Sequence, residues 1–407
     1  MKIVYFDPGL AGRGGHNSAM LAEFEQALVQ QGGNQVTVLA AARLAPAAFA
    51  GSALRFVPLF EIEGYQTFDS AALASGHALA AVGSALERAD DLLACADAVL
   101  MPTAYPLHVQ ALGRCAARLA GRRVVLALML PASYWAQDAL AVPALDAAFA
   151  EGLGALAGHC ELFAYSETGG FDLGGERLRL PTLLPPVAAP TMALLRGLAT
   201  SPRAAAADRP PVIGFFGSAF GSKGFERLAA AVRSQLADGR VPRCRLRLAL
   251  PPQQRHLARA VALAPWVEVV DVGTSNEDYL RAMAAVDAVW TFYDPGHYGQ
   301  KMSGIVPEAL ALGKPLLVAE GCQGIVDFLE HHAPGSYVVG PYDARTARAL
   351  LDLDPATLAR AGQCARQHAP IARSLKDMER YLAVCGLLGA ERAVPPAPAE
   401  APAPQVA

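Results

Sequence analysis

A chain of 407 residues exceeds one ordinary domain length, so two domains are expected. Its 53% hydrophobic and 17% charged residues supply apolar material for two cores and exclude a mainly disordered chain. A formal net charge of -3 excludes the strongly basic surface of a nucleic-acid reader or a polybasic membrane binder. The run Arg114, Arg118, Arg122, Arg123 reads as a solvated helix face rather than a polyanion patch. Seven scattered cysteines without a C-x-x-C pair argue against a disulfide framework or a zinc site, and for a reducing compartment. The start MKIVYFDPGL lacks the apolar core and cleavage site of a signal peptide, and the apolar run Val124–Leu130 is too short to span a bilayer. The expectation is a cytoplasmic protein, with peripheral contact on the inner face of a membrane left open.

Lys2–Phe6 reads as a buried strand running into a turn at Asp7-Pro8. Met20, Leu21, Phe24 and Leu28 recur at helical spacing over Asn17–Gln31, which ends at Gly32-Gly33, and Gln35–Ala40 is a second strand. Such β-loop-α-β units build parallel sheets. The theme returns with strand Ala98–Met101, helix Leu107–Ala120, and strands Arg123–Leu130 and Leu162–Ser166. Residues 181–210 are rich in Pro and Ala and read as an interdomain connection with room for one short helix. A second series follows: strand Val212–Phe216, helix Phe225–Leu236, strand Cys244–Leu250, helix Gln254–Ala264 and strand Val267–Val272. Ser275 and Asp278 resemble a capping box for a helix over Asp278–Val286. Strand Ala288–Tyr293, helix Gly304–Leu312 and strand Pro315–Ala319 complete it. Residues 393–407 are a Pro/Ala tail expected to be disordered.

Three segments carry the chemistry. In Tyr293–Gly324, Ser303 is placed to cap a helix starting at Gly304, and Pro307 fits a first turn. The N–H groups of Gly304, Ile305 and Val306 would form an anion site. Glu308 is the lone ionisable residue on this apolar helix, so it needs a partner: a core Lys or Arg, or the hydroxyls of a ribose. Tyr298 and Gln323 flank the motif around this helix as candidate base or sugar contacts. The second segment runs Phe215-Phe216-Gly217-Ser218-Ala219-Phe220-Gly221-Ser222-Lys223-Gly224, between a strand and a helix. Its glycines permit close backbone approach and Lys223 can neutralise a phosphate. The third is Gly9 to His16 after the first strand; Gly14 and Gly15 offer backbone N–H groups, and His16 is a candidate base, a helix cap, or a solvent residue. Asp352-Leu353-Asp354 matches a D-x-D metal pattern, but Asp354-Pro355 opens a helix and reads as a cap. His331-His332 point in different directions and do not make a joint metal site.

The Glu308-Ala-Leu-Ala-Leu-Gly-Lys-Pro segment after Ser303-Gly304 resembles the donor-site signature of the GT-B glycosyltransferases, especially the family 4 type. The resemblance covers residues 211–330 well and the N-terminal half weakly. It implies an α/β GT-B fold, two doubly wound Rossmann-like domains facing across a cleft. Residues 1–190 would bind acceptor, 191–375 would bind donor, and 376–392 would cross back as a helix. In that family the glutamate matching Glu308 holds the donor ribose, and an earlier glutamate would fall on Gln300. An Arg and a Lys grip the diphosphate; Lys223 matches the Lys, but Ser218 stands at the Arg position, so Lys301 or an N-domain arginine is expected to substitute. Gly217, Ser218, Lys223, Tyr298, Gln300, Ser303, Gly304, Ile305 and Glu308 then form the donor site with Gly14 and Gly15, and His16, Lys223 and Glu308 are the catalytic candidates. The implied substrate is a nucleoside diphosphate sugar, with no cofactor and no metal. The acceptor is an unidentified sugar, lipid-linked or protein group, and nucleic acid is not expected. Retention at the anomeric carbon is implied. An inverting transferase with His16 as base, a non-catalytic sugar-nucleotide-binding partner and a sugar-nucleotide epimerase remain as alternatives.

Overall fold

The computed structural model describes residues 1–13, 15–200, 209–259, 261–272 and 275–387. The tail 393–407, residues 201–208 of the expected connection, and Gly14 lie outside them.

Two parallel six-stranded sheets organise the chain. The first contains β1 (Lys2–Asp7), β2 (Gln35–Ala41), β3 (Arg55–Phe60), β4 (Ala98–Met101), β5 (Arg123–Ala127) and β6 (Glu161–Tyr165), in the order β3-β2-β1-β4-β5-β6. After an antiparallel hairpin, β7 (Gly170–Leu173) and β8 (Glu176–Arg179), the second sheet contains β9 (Val212–Phe216), β10 (Arg245–Ala249), β11 (Val267–Val270), β12 (Ala288–Thr291), β13 (Leu316–Ala319) and β14 (Tyr337–Gly340). Its order, β11-β10-β9-β12-β13-β14, repeats that of the first. Strands β4, β9, β12 and β13 are buried along their whole length, as parallel strands covered by helices on both faces must be. The order reverses between β1 and β4, and again between β9 and β12. Ligands of such sheets bind beyond the carboxyl ends of the strands at those points. The expected α/β architecture of two doubly wound domains is therefore present.

Several elements differ from the sequence reading. The helix expected over Gln254–Ala264 is a 3₁₀ stretch, Pro252–Ala258. The first helix starts at Gly15 and passes into a π-helical stretch, Glu25–Gln31. Expected strands such as Arg123–Leu130 stop early, at Ala127. The connection between the sheets holds a twelve-residue helix, Ala189–Thr200. Helices His77–Arg88 and Ala141–His159 are absent from the sequence reading, although the first buries Val82, Ala85 and Leu86 at helical spacing; the second is apolar on all sides and has no single stripe. Ser275 does accept from the N–H of Asp278 at 3.0 Å and begins the helix Asn276–Ala284.

The chain then crosses back. Helix Pro355–Leu375 packs its Ala372 and Leu375 into the core of the second sheet. The next helix, Met378–Val384, places Met378, Tyr381 and Leu382 in the core of the first, beside Ile3, Tyr5 and Phe24. The Tyr165 and Tyr381 hydroxyls meet at 2.8 Å across that seam.

One glycine fixes the loop after β9. Gly224 has φ +71°, and a Cβ there would lie 2.1 Å from the Phe292 carbonyl oxygen. Gly224→Ala is expected to lower unfolding free energy by more than about 2 kcal/mol, from left-handed backbone cost plus a clash with main chain. The check is the urea midpoint; an unchanged midpoint would mean that the loop has moved aside.

Candidate active site

The loop after β9 lies at the switch point of the second sheet. Gly217 has φ +94°, and its N–H donates to the Ala249 carbonyl at 3.1 Å. Ala219 N–H donates to Gln254 Oε1 at 2.6 Å, so the backbone on both sides of Ser218 is fixed. A Cβ on Gly217 would lie 3.3 Å from Lys223 Nζ and 3.5 Å from Ile305 Cδ1. The glycine thus supplies the backbone turn and leaves room for the ammonium above it. Burial lowers the pKa of Lys223, and the charge of Glu308 acts against that shift.

Glu308 lies on the helix Ile305–Ala311, which follows β12. Its carboxylate Oε2 accepts from the Tyr279 hydroxyl at 3.1 Å. It is half-buried. Burial raises its pKa; the Lys376 ammonium, the Tyr279 hydrogen bond and Lys223 oppose the rise. Gly304, not Ser303, occupies the N-cap position, and no side-chain cap bond forms. Ser303 is buried with its hydroxyl 3.4 Å from that of Tyr293. Val306 N–H is used by the Ser303 carbonyl at 2.8 Å, so it is not a free donor.

The structure therefore brings Gly217, Lys223, Ile305 and Glu308 together. Tyr298 packs its ring 4.5 Å from that of Tyr293, which itself lies 6.0 Å from Lys223 Nζ, and burial pushes its hydroxyl up to about 12. Gln300 faces the hairpin, where its Oε1 accepts from Arg177 Nη1 at 3.2 Å. Arg177 also pairs with Asp172 at 3.0 Å. Lys301 rests over the Tyr134 ring, 4.2 Å from its centre, and burial lowers its pKa to about 8. Asp352 is committed to structure, accepting from Gln235 Nε2 at 2.8 Å and Arg243 N–H at 3.2 Å. Asp354 takes the N-cap position of the helix Pro355–Leu375.

On the opposing side, His16 lies in the first turn of the helix that starts at Gly15. Its surface is exposed, yet neighbouring protein and then the Lys376 ammonium lower its pKa. The loop before it is held by Asp7, fully buried at the end of β1. Asp7 accepts from Asn17 Nδ2 at 2.8 and 3.0 Å and from Gly9 N–H at 3.0 Å. Burial nevertheless raises its pKa from 3.8 to about 6. A carboxyl with a raised folded-state pKa gives stability that is full below about pH 4 and lost as pH rises through about 6. The unfolding free energy of the protein minus that of Asp7→Asn should fall by about 3 kcal/mol between about pH 4 and pH 7, at about 1.4 kcal/mol per pKa unit. A flat difference in urea titrations would show that the Asp7 pKa is not raised in the native state.

Between the two sides lies a cavity of about 650 Å³. Tyr134, Ser133 and Asp146 line it from the first sheet's side, and His297, Gln300 and Lys301 from the second's. Among the described residues no three His, Cys, Asp or Glu side chains converge as metal ligands. No described helix is long and apolar enough to cross a membrane.

Sequence reasoning missed Tyr279, Arg177, Glu167 and Lys376. Glu167 had a readable signal: it directly follows a strand at its carboxyl end, where doubly wound sheets place ligand contacts. Lys376 is buried and donates to the Pro185 carbonyl at 3.1 Å, a contact 191 positions apart that no local pattern shows.

No family model and no curated protein matches the sequence. Solved structures do match. Sucrose-phosphate synthase from Thermosynechococcus elongatus superposes with a TM-score of 0.58 at 16% identity, over 95% of this chain and 98% of that one. An α,α-trehalose-phosphate synthase (UDP-forming) from Burkholderia xenovorans, in complex with glucose-6-phosphate, gives 0.55 at 12% identity over 95% and 100%. An α-glucosyltransferase in complex with UDP and a 13-mer DNA gives 0.51 at 13% identity over 95% and 99%. At such identities the likeness concerns architecture, and the architecture of this chain is the GT-B fold of those glycosyltransferases.

Proposed function

We propose that the protein is a glycosyltransferase that takes a sugar from a nucleoside diphosphate donor, with retention at the anomeric carbon and without a metal ion. The observation that carries this reading is the meeting of Lys223, Gly217 and Glu308 at the switch point of the second sheet. A half-buried carboxylate suits a ribose diol, and a desolvated ammonium beside open backbone suits a diphosphate. The matching solved structures support it: one contains UDP and another is described as UDP-forming.

In this mechanism the bond from the anomeric carbon to the diphosphate oxygen breaks as the acceptor oxygen bonds to the same face. The acceptor proton passes to the departing diphosphate oxygen. Lys223 stabilises the charge that develops there, a preorganised term that gains strength where water is excluded. The acceptor occupies the cavity beside Tyr134 and Asp146. The inverting alternative draws on one observation, the exposure of His16 with a depressed pKa, so that its imidazole is neutral near neutral pH. No carboxylate perturbs His16, which leaves it without the orienting partner that such a base ordinarily has.

A thermal-shift screen against UDP, GDP, ADP, CMP and dTDP, with and without Mg²⁺ or EDTA, tests the donor site. A ligand that binds only the folded state raises Tm. One responding diphosphate, indifferent to metal, is the expected result; no response to any of them removes the reading. With the donor base known, NMR of the product anomer decides retention, and an inverted product transfers the role to His16. Conversion of a lone donor into a second sugar nucleotide would select the epimerase.

A further inference from the structure

Gln300 and Lys301 line the cavity from the second sheet's side, and both do so as hydrogen-bond donors. Gln300 is held at two points. Gly324 packs on its main chain: a Cβ there would lie 2.8 Å from the Gln300 carbonyl carbon, and Gly324 N–H donates to the Gly299 carbonyl at 2.9 Å. Its side chain is held by the hairpin. Arg177 Nη1 donates to Gln300 Oε1 at 3.2 Å and to Asp172 Oδ1 at 3.0 Å. Gly170, on the facing strand, leaves room for this guanidinium; a Cβ there would lie 2.8 Å from Arg177 Nε. A guanidinium donates and never accepts, so the amide must turn its oxygen to Arg177. What Gln300 has left for the cavity is its NH2 group, which only donates.

Lys301 stands next to it. It is half-buried, with its ammonium 4.2 Å from the centre of the Tyr134 ring. A ring face attracts an ammonium but supplies no acceptor oxygen, so its hydrogens stay available. Burial lowers its pKa to about 8, and no carboxylate among the described residues opposes that shift. An ammonium in this state gains from an anion beside it.

The first sheet's side limits the charge of that anion. Asp146 and Asp172 line the same cavity, and Asp172 is already paired with Arg177. Burial and then Asp172 raise the Asp146 pKa. The Lys301 ammonium balances one negative charge; a dianionic phosphate ester would leave the second uncompensated near Asp146. A carboxylate carries a single charge and can accept from the ammonium and the amide together. Asp146, Ser133 and Thr67 are then left to bind hydroxyls.

We propose that Gln300 and Lys301 form a carboxylate subsite, so that the acceptor in this cavity is a sugar acid: a hydroxylated ring bearing one carboxylate. This deepens the transferase reading above and rests on it. The carboxylate is bound and not consumed; a hydroxyl of the same ring is the nucleophile, and its proton leaves with the diphosphate as before.

The test is calorimetric titration of the full chain, saturated with the nucleoside diphosphate it binds. The probes are glucuronate and galacturonate, the neutral sugars glucose and galactose, and glucose 6-phosphate. The better acid should bind at least about tenfold more tightly than its neutral counterpart and than the phosphate, the effect of one charge-assisted contact. Lys301→Gln should bring the acid to within about twofold of the neutral sugar and leave diphosphate affinity unchanged. Gln300→Glu covers the case in which Lys301→Gln does not fold. It keeps an acceptor for Arg177 but sets a like charge in the subsite, so the acid should weaken by about tenfold while the neutral sugar holds. Equal affinity for acid and neutral sugar, preference for the phosphate, an acid preference that survives either variant, or no binding of either acid would overturn the proposal. A protein that binds a diphosphate but neither acid keeps its donor site and loses only this inference. If the unaltered protein binds no diphosphate, the transferase reading falls, and the same titrations on the free chain decide the subsite separately.

Discussion

Lys223→Ala is expected to reduce kcat for sugar transfer by about 10²–10³-fold, a cost of about 3–4 kcal/mol. The reason is the geometry around its ammonium. Gly217 holds a left-handed backbone conformation beneath it, Ile305 closes one side, and burial has already removed much of its water. An amine desolvated before the donor arrives needs little rearrangement when charge builds on the leaving diphosphate. Its own stability consequence is small or favourable, because the substitution relieves that desolvation. Steady-state kinetics and equilibrium binding give the check together. Nucleoside diphosphate should bind more weakly and nucleoside unchanged; equal losses for both would mean that Lys223 does not touch phosphate.

Glu308→Ala should weaken the nucleoside diphosphate by about 10²–10³-fold, since two charge-assisted hydrogen bonds to ribose contribute about 1.5–3 kcal/mol each before partial compensation by water. Stability should move the other way. Burial raises the Glu308 pKa despite Lys376, Tyr279 and Lys223, so ionising it in place costs free energy at neutral pH. Deleting it should therefore leave Tm of the unliganded protein equal or higher while abolishing most of the nucleotide-induced shift. Opposed signs of this kind mark a group retained for function rather than for folding. A variant with lowered Tm and unchanged affinity would make Glu308 a structural residue. The two substitutions should also couple: Glu308 acts against the lowering of the Lys223 pKa, so removing it favours the neutral amine, and the double variant should lose less than the sum.

The parts of the site that sequence could reveal lie on single elements. Gly217 and Lys223 stand on one strand-to-helix loop, and the isolation of Glu308 among Val306, Ala309, Leu310 and Ala311 follows from helical spacing alone. Tyr279 could not be found this way. It belongs to a helix 29 positions earlier and meets Glu308 only because both helices pack at the carboxyl edge of the second sheet. The Ser303 cap did not form: the serine is buried with its hydroxyl 3.4 Å from that of Tyr293, and Gly304 takes the N-cap position. The hairpin Gly170–Arg179 did carry a local signal, Gly174-Gly175, with φ of +59° and +86°. What that hairpin does, carrying Arg177 to Gln300, has no local trace.

By itself the sequence determined the alternation of strands and helices, the glycine-rich turns that follow β1 and β9, and the lone carboxylate at position 308. Each of these is set by backbone conformation and by the periodic burial of apolar side chains, which depend on neighbours close along the chain. The tertiary structure decided the rest. It set the shared 3-2-1-4-5-6 strand order of the two sheets, the partner of Glu308, the occupancy of Gln300 by Arg177, and the burial of Lys376 against the Pro185 carbonyl. Charges act through space, and the distances that govern them are set by which segments cross from one core to the other. No local pattern in the chain encodes those crossings.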